Sequence, residues 1–145
     1  MIALLQRVSS AQVSVDNVVL GAIDRGLLIF LCAEPDDREP DIDRFLNRLL
    51  DYRIFSDEAG KMNRSVRAIA GSVLLIPQFT LAADTRSGLR PGFSNAASPA
   101  VGKQLFDYAW QRLQALHPAS ACGRFGADMQ VALVNDGPAT FWLRS

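Results

Sequence analysis

Ser72-Val73-Leu74-Leu75-Ile76-Pro77-Gln78-Phe79-Thr80-Leu81-Ala82-Ala83-Asp84 is the stretch around which the rest of the chain is arranged. Val73 to Ile76 form a continuous apolar run with β-branched residues at both ends. Such a run suits a strand covered on both faces. Pro77 lacks a backbone donor, so the ladder is expected to break or reach an edge there. Gln78 and Thr80 follow at alternating positions and are expected on one side, with Phe79 on the other. Polar groups just past the end of a buried strand mark a candidate site. The same residues also suit a plain strand end, where Gln and Thr side chains satisfy loose backbone groups.

The wider chain sets bounds on that site. Its 145 residues suffice for one hydrophobic core, and a single domain over 1–145 is expected. Hydrophobic residues make up 49%, which excludes a disordered chain. Lys plus Arg and Asp plus Glu number 15 each, so the net charge of zero argues against a general nucleic-acid coat. A local basic patch for an RNA end remains compatible with that balance. No apolar run approaches the roughly 18 residues of a membrane span, and the N-terminus does not read as a signal peptide. A cytoplasmic protein with reduced Cys32 and Cys122 is therefore expected. With one histidine, His117, and no Cys-x-x-Cys, neither a metal nor a cofactor is expected. His117 before Pro118 reads as a helix C-terminal residue.

Outward from the central run, residues 2–15 read as a strand and Asp16-Asn17 as a hairpin turn into Val18-Val19-Leu20. Gly21 and Gly26 bracket a second turn, and Leu27 to Ala33 reads as an apolar strand that buries Cys32. Asp36-Asp37 reads as a solvated helix N-terminus rather than a metal site. Ile42, Phe45, Leu46, Leu49 and Leu50 recur at helical spacing, predicting a helix over about residues 38–50. Tyr52 to Phe55 reads as a short strand and 56–63 as turn chemistry. The loop from Asp84 to Ala97 carries Arg86 and Arg90. These suit phosphate or an RNA backbone, or are the incidental charge of a solvated loop. Ser98-Pro99 predicts the cap and first turn of a second amphipathic helix, ended by Pro118. Cys122 falls in a small-residue loop. Residues 129–134 and 139–143 read as two strands joined by a turn at Asn135-Asp136-Gly137-Pro138. The expected fold is α+β, a curved, mostly antiparallel, barrel-like sheet with two amphipathic helices.

Five blocks carry a resemblance. Pro77 to Asp84 resembles the Ser-Gln-Phe-Thr-Leu signature of the D-aminoacyl-tRNA deacylases (D-Tyr-tRNA(Tyr) deacylase family). Asn135-Asp136-Gly137-Pro138-Ala139-Thr140 resembles that family's Asn-x-Gly-Pro-Val-Thr signature. Met1 to Val8, Tyr52 to Asp57 and Gly123 to Val131 are similar to it as well, in register over nearly the full chain. The resemblance implies hydrolysis of the ester between a D-amino acid and the 3′-terminal adenosine of tRNA, a chiral proofreading reaction. Glycine mischarged on tRNA(Ala) is a further substrate it suggests. It implies a homodimer in which Gln78, Phe79 and Thr80 of one subunit meet Gly137-Pro138 of the other across a cis bond. Arg7 and Met129 match family positions near the site. The partner is the aminoacyl-tRNA 3′ end, with phosphate contacts expected from Arg86, Arg90 and Lys103.

The residues fit that chemistry. No Ser-His-Asp or Cys-His set exists, and no base is evident to make Thr80 a nucleophile. Backbone N–H groups around Gln78 and Phe79 are candidates to hold a developing oxyanion. A water nucleophile assisted by the substrate's ribose hydroxyl is the expected mechanism, with Thr80 positional. The chain departs from the family where Pro77 replaces Ser, Ala139 replaces Val and Gly92 replaces a frequent Ser. Pro77 leaves open an alternative: a catalytically weak relative that binds the tRNA 3′ end.

Overall fold

The computed structural model describes residues 1–145. In chain order the elements are β1 (Ile2–Val15), β2 (Val18–Ile23), β3 (Gly26–Cys32), α1 (Glu39–Leu50), β4 (Phe55–Ser56) and β5 (Met62–Arg64). They continue with β6 (Ser72–Pro77), a 3-10 turn (Phe79–Ala82), α2 (Pro99–Leu116), β7 (Ser120–Cys122) and β8 (Gln130–Arg144). The long strand β1 is the hub. Along one edge it pairs antiparallel with β8. Along the other it pairs first with β3 and then with β2, both antiparallel. Strand β6 lies parallel to β3, and β7 lies parallel to β6. The sheet curls until β2 meets β7: a Cβ added to Gly21 would lie 2.8 Å from that of Ala121. Only a glycine allows the two strands so close. Antiparallel pairing thus dominates a nearly closed, curved sheet, with parallel pairing around β6.

The apolar run of β6 is covered on both faces, which is why it shows no polar alternation. Val73 and Leu75 join Leu27, Ile29 and Leu31 in packing against the helices. Leu74 and Ile76 face the barrel interior with Val8, Val13 and Leu28. Helix α1 buries Ile42, Phe45, Leu46, Leu49 and Leu50, and α2 buries Leu105, Phe106, Ala109 and Leu113. An ion pair fastens the two helices: Asp43 accepts from Arg112 Nε at 2.7 Å and from the Tyr108 hydroxyl at 3.1 Å.

Several expectations need correction. Residues 130–144 form one strand, not a hairpin. The pairing with β1 steps from Gln6↔Thr140 to Val8↔Asn135, so Asp136 to Ala139 bulge out opposite Arg7. Turn chemistry at Asn-Asp-Gly-Pro is spent on that bulge rather than on a reversal. Cys122 lies on β7, not in a loop. The strand expected over residues 52–55 shrinks to Phe55–Ser56, which pairs with β5 inside the segment read as a turn. Asp37 is buried, not solvated: it accepts from the Met1 ammonium at 2.8 Å and from the backbone of Glu34 at 2.7 Å. The Asp16-Asn17 hairpin is present, both residues having positive φ as a tight hairpin turn requires. His117 caps α2 and its Nε2 lies 2.8 Å from the carbonyl oxygen of Gly71.

Candidate active site

At the end of β6 the chain leaves the sheet. Pro77 is the last residue of the ladder, opposite Leu31, and the Gln78 N–H still reaches the Leu31 carbonyl at 2.8 Å. Residues 79–82 then close a single 3-10 turn, so the expected strand-like alternation of Gln78, Phe79 and Thr80 does not occur. The Leu81 N–H bonds to the Gln78 carbonyl and the Ala83 N–H to that of Thr80. As the first donors of the turn, the N–H groups of Phe79 and Thr80 have no acceptor within it. The Gln78 side chain donates to the Thr80 hydroxyl at 2.5 Å. That bond fixes both side chains at the turn.

The turn borders an apolar cavity of about 540 Å³. Its walls include Pro77, Gln78, Phe79, Phe93, Phe125 and Met129, with the buried Cys32 and the exposed Pro99 also lining it. Phe79, half exposed, meets Phe93 edge to face with ring centroids 5.1 Å apart. Met129 is held by the Arg124 N–H, which points at its sulfur at 3.3 Å. No carboxylate, histidine, lysine or arginine lines the cavity; Gln78 brings its one amide side chain. The Cys32 sulfur lies 3.5 Å from the carbonyl oxygen of Phe79, but burial pushes its thiol up from 9.0 to about 11. A thiol held protonated is a poor nucleophile.

Arg7, Gly137 and Pro138 form a second cluster. Arg7 donates from Nε to the Asp136 carbonyl at 3.0 Å and from a terminal nitrogen to the Ile54 carbonyl at 2.7 Å. Its Nε also lies 3.2 Å from the Asp136 carboxylate. The Asn135 amide donates to the carbonyls of Arg7 (2.9 Å) and Ala139 (3.0 Å), bracing the bulge from its base. The Gly137-Pro138 bond is cis, and both residues are exposed. Neither lines the cavity. Arg7 faces Leu27 on β3 whereas Pro77 faces Leu31, so the clusters are offset by four residues, roughly 13 Å of strand. Of the seven sequence-predicted site residues, then, Gln78, Phe79 and Met129 line the cavity, and Thr80 stands beside it, bonded to Gln78. Arg7, Gly137 and Pro138 gather at the bulge.

The chain matches the D-Tyr-tRNA(Tyr) deacylase family over residues 4–144. It belongs to that family. The D-aminoacyl-tRNA deacylase of Pseudomonas entomophila (strain L48) is 60% identical over 141 residues, 97% of each chain. That of Janthinobacterium sp. (strain Marseille) is 59% identical over 144 residues, 99% of this chain and 97% of the other. Among solved structures, the c-Myc DNA Unwinding Element Binding Protein superposes with a TM-score of 0.94 at 32% identity, covering 100% of this chain and 99% of that one. A probable eukaryotic D-amino acid tRNA deacylase shares the fold at a TM-score of 0.88 and 16% identity, covering 98% and 97%.

Within the family frame, sequence reasoning missed Cys32, Phe93 and Phe125 as walls of the cavity. Phe93 was readable only as part of a Gly- and Ser-rich loop, and Phe125 as an aromatic between glycines. An aromatic stranded among small residues was the available signal. The phosphate candidates differ in their partners. Arg86 is clipped to Asp84 by bonds of 2.9 and 2.6 Å, which holds the Asp84 carboxyl down at about 2, and Lys103 pairs with Asp107 at 2.5 Å. Arg90 alone of the three is unpaired.

Proposed function

We propose that the cavity beside Gln78, Phe79 and Thr80 receives the 3′-terminal adenosine of a D-aminoacyl-tRNA and that the turn above it hydrolyses the aminoacyl ester. The observation that carries this reading is the pair of unpartnered N–H groups of Phe79 and Thr80, on the turn that borders a cavity lined by no charged side chain. Donors aimed at a carbonyl oxygen stabilise the negative charge that develops there, and do so best where water is scarce. The aromatic and thioether walls suit a purine ring.

The step is addition and collapse. Water oxygen bonds to the ester carbonyl carbon, and the carbonyl oxygen becomes an oxyanion held by the turn. The bond from that carbon to the ribose 3′ oxygen then breaks. The water proton passes through the vicinal ribose hydroxyl to the departing oxygen, giving free D-amino acid and tRNA. With no carboxylate or imidazole on the cavity wall, the substrate's own hydroxyl is the available relay. Gln78 holds the Thr80 hydroxyl as donor, so Thr80 shapes the site and does not attack.

Chirality rests on the second cluster. Gly137-Pro138 stands exposed on a braced bulge, too far along the sheet to serve its own cavity. In a homodimer it serves the partner's, with backbone carbonyls crowding the substrate α-carbon. An L side chain collides with them and a D side chain points to solvent. Support for a second copy comes from β8, whose outer edge is unpaired. Its alternating exposed residues are Gln130, Ala132, Val134, Thr140 and Trp142, with the charged Asp136 in the bulge and Arg144 at the end. Rejection of L rather than grip on D admits many D side chains, and glycine as well. No helix is long and apolar enough to cross a membrane, and both cysteines are free, which accords with a reducing, tRNA-containing cytoplasm.

The test is ester loss from D-Tyr-tRNA, L-Tyr-tRNA and Gly-tRNA. Hydrolysis of the D and glycyl esters with the L ester spared is expected. Binding of the tRNA 3′ end without turnover would instead favour the binding relative that Pro77 left open.

A further inference from the structure

Fifteen cationic side chains balance fifteen acidic ones, and most are spoken for. Arg44, Arg64, Arg67, Arg86, Lys103, Arg112 and Arg144 pair with carboxylates, as does Arg7. Arg38 and Arg48 donate to backbone carbonyls, and Arg25 lies over the Phe55 ring. Four side chains remain with neither an acidic partner nor an acceptor: Arg53, Lys61, Arg90 and Arg124. Two of these four adjoin residues of the cavity wall along the chain. Arg124 directly precedes the wall residue Phe125, and its own backbone N–H is anchored to the wall residue Met129. Arg90 precedes the wall residue Phe93 by three positions and sits on a loop whose base is clamped by paired bonds between Asp84 and Gly92, 2.7 and 3.0 Å. Both side chains are exposed.

We infer that Arg90 and Arg124 form a two-point clamp for backbone phosphates of the single-stranded CCA end that leads into the cavity. This rests on the reading of the cavity as the site for the terminal adenosine. A strand whose last base enters the cavity must carry its preceding phosphates past its rim, and these two exposed arginines sit on the segments that supply the wall residues Phe93 and Phe125. An unpaired arginine keeps its full charge and its planar donor fork for phosphate. Arg86, spent on Asp84, offers neither freely. Two contacts also reconcile RNA binding with zero net charge: affinity comes from local cations, not from an overall field.

The test is equilibrium binding of an uncharged tRNA acceptor minihelix ending in CCA across a series of salt concentrations. It is paired with kcat/KM on D-Tyr-tRNA and on 3′-D-tyrosyl-adenosine, which has no phosphates. Each single-strand phosphate contact contributes a slope of about 0.7 in log K against log salt. Arg90→Gln and Arg124→Gln are each expected to lower the slope by about that much, and the double variant by twice it. The double variant is expected to lose about tenfold more kcat/KM on the tRNA than on the adenosine ester. Arg90→Lys and Arg124→Lys keep the charge and so the slope. Lys61→Gln, which removes an equally free cation from the β4–β5 hairpin, leaves it alone. An unchanged slope in the double variant, an equal fall in Lys61→Gln, or equal losses on both substrates would overturn the clamp. A wild-type protein that shows the slope but hydrolyses neither ester sinks the catalytic reading and leaves the clamp standing.

Discussion

Arg7 and Gly137 are so close that a Cβ on Gly137 would lie 2.5 Å from the Arg7 guanidinium. Gly137 also has a φ of +128°, where side chains are strained. Gly137→Ala must therefore displace Arg7 from Asp136 and Ile54 or strain the bulge itself. The expected cost is about 1–3 kcal/mol, read by urea unfolding. D-Tyr-tRNA turnover falls further than stability does, because the bulge moves. A variant with unchanged stability and turnover would show that the bulge tolerates the displacement.

Thr80→Ala is expected to keep kcat within about tenfold of the unsubstituted protein. It removes a hydroxyl that accepts from Gln78 but leaves the backbone donors of the turn in place. Thr80→Tyr, which crowds the rim, is expected to do more harm. Rapid quench with labelled substrate is the check: an acyl group trapped on Thr80 would make it the nucleophile after all.

Cys32 gives a pH dependence with a definite sign. Burial raises its thiol from 9.0 to about 11, so the folded state holds the proton more tightly than the unfolded chain. The stability this represents is complete below about pH 9 and is lost as pH rises from there through about 11. Cys122 is raised by burial as well, so the comparison is best made in a Cys122→Ala background. There, unfolding free energy is expected to fall over that alkaline window, and adding Cys32→Ala should flatten the fall. Activity near neutral pH should show no inflection from Cys32.

Asp37 is the one charged residue in the core, and it neutralises the Met1 ammonium, which is itself buried. Asp37→Ala leaves that cation with Glu34 at 3.1 Å and the Ser145 hydroxyl at 2.8 Å, its nearest anionic contact gone. Breaking a buried pair from one side costs about 3–5 kcal/mol, far more than the pair contributes net. Met1 also lines the cavity, so D-Tyr-tRNA hydrolysis is expected to fall along with the midpoint of urea unfolding. A shift under about 0.5 kcal/mol, the usual range for surface substitutions, would mean that water replaces the carboxylate.

What could be read in the sequence was what a local pattern determines. Val73 to Ile76 announced a strand covered on both faces, and Ile42 to Leu50 a helix, because burial imposes a period on neighbouring residues. What could not be read was set by distant partners. Asn135-Asp136-Gly137-Pro138 carries the chemistry of a turn, and only Arg7, far away in sequence, makes it a bulge. Ser120-Ala121-Cys122 has no strand pattern of its own; it is a strand because β6 offers an edge. The cavity draws on several separate segments, so no single motif encodes it. Gln78 and Thr80 were legible as candidates for a site, but their geometry was not, since the 3-10 turn depends on where β6 ends.

The separation of the two clusters yields the sharpest prediction. In one chain the Gly137-Pro138 bulge and the Gln78 turn are offset by roughly 13 Å of strand, and neither Gly137 nor Pro138 lines the cavity. If a second copy closes the site, damage at the two clusters must complement between subunits. One variant carries Gln78→Ala with Thr80→Tyr; the other carries Gly137→Ala with Pro138→Ala. Each alone should lose discrimination or turnover in both of its sites. In a two-fold dimer of one of each, the intact turn faces the intact bulge in one site, and both lesions fall in the other. Random mixing makes about half the dimers mixed, so about a quarter of sites should recover D-selective hydrolysis. The measurement is D-Tyr-tRNA and L-Tyr-tRNA turnover before and after the two proteins are unfolded together and refolded. Recovery of D-specific turnover only in the refolded mixture establishes a shared site. A mixture that stays at the average of its components means that each chain builds its site alone, and that the bulge has another purpose.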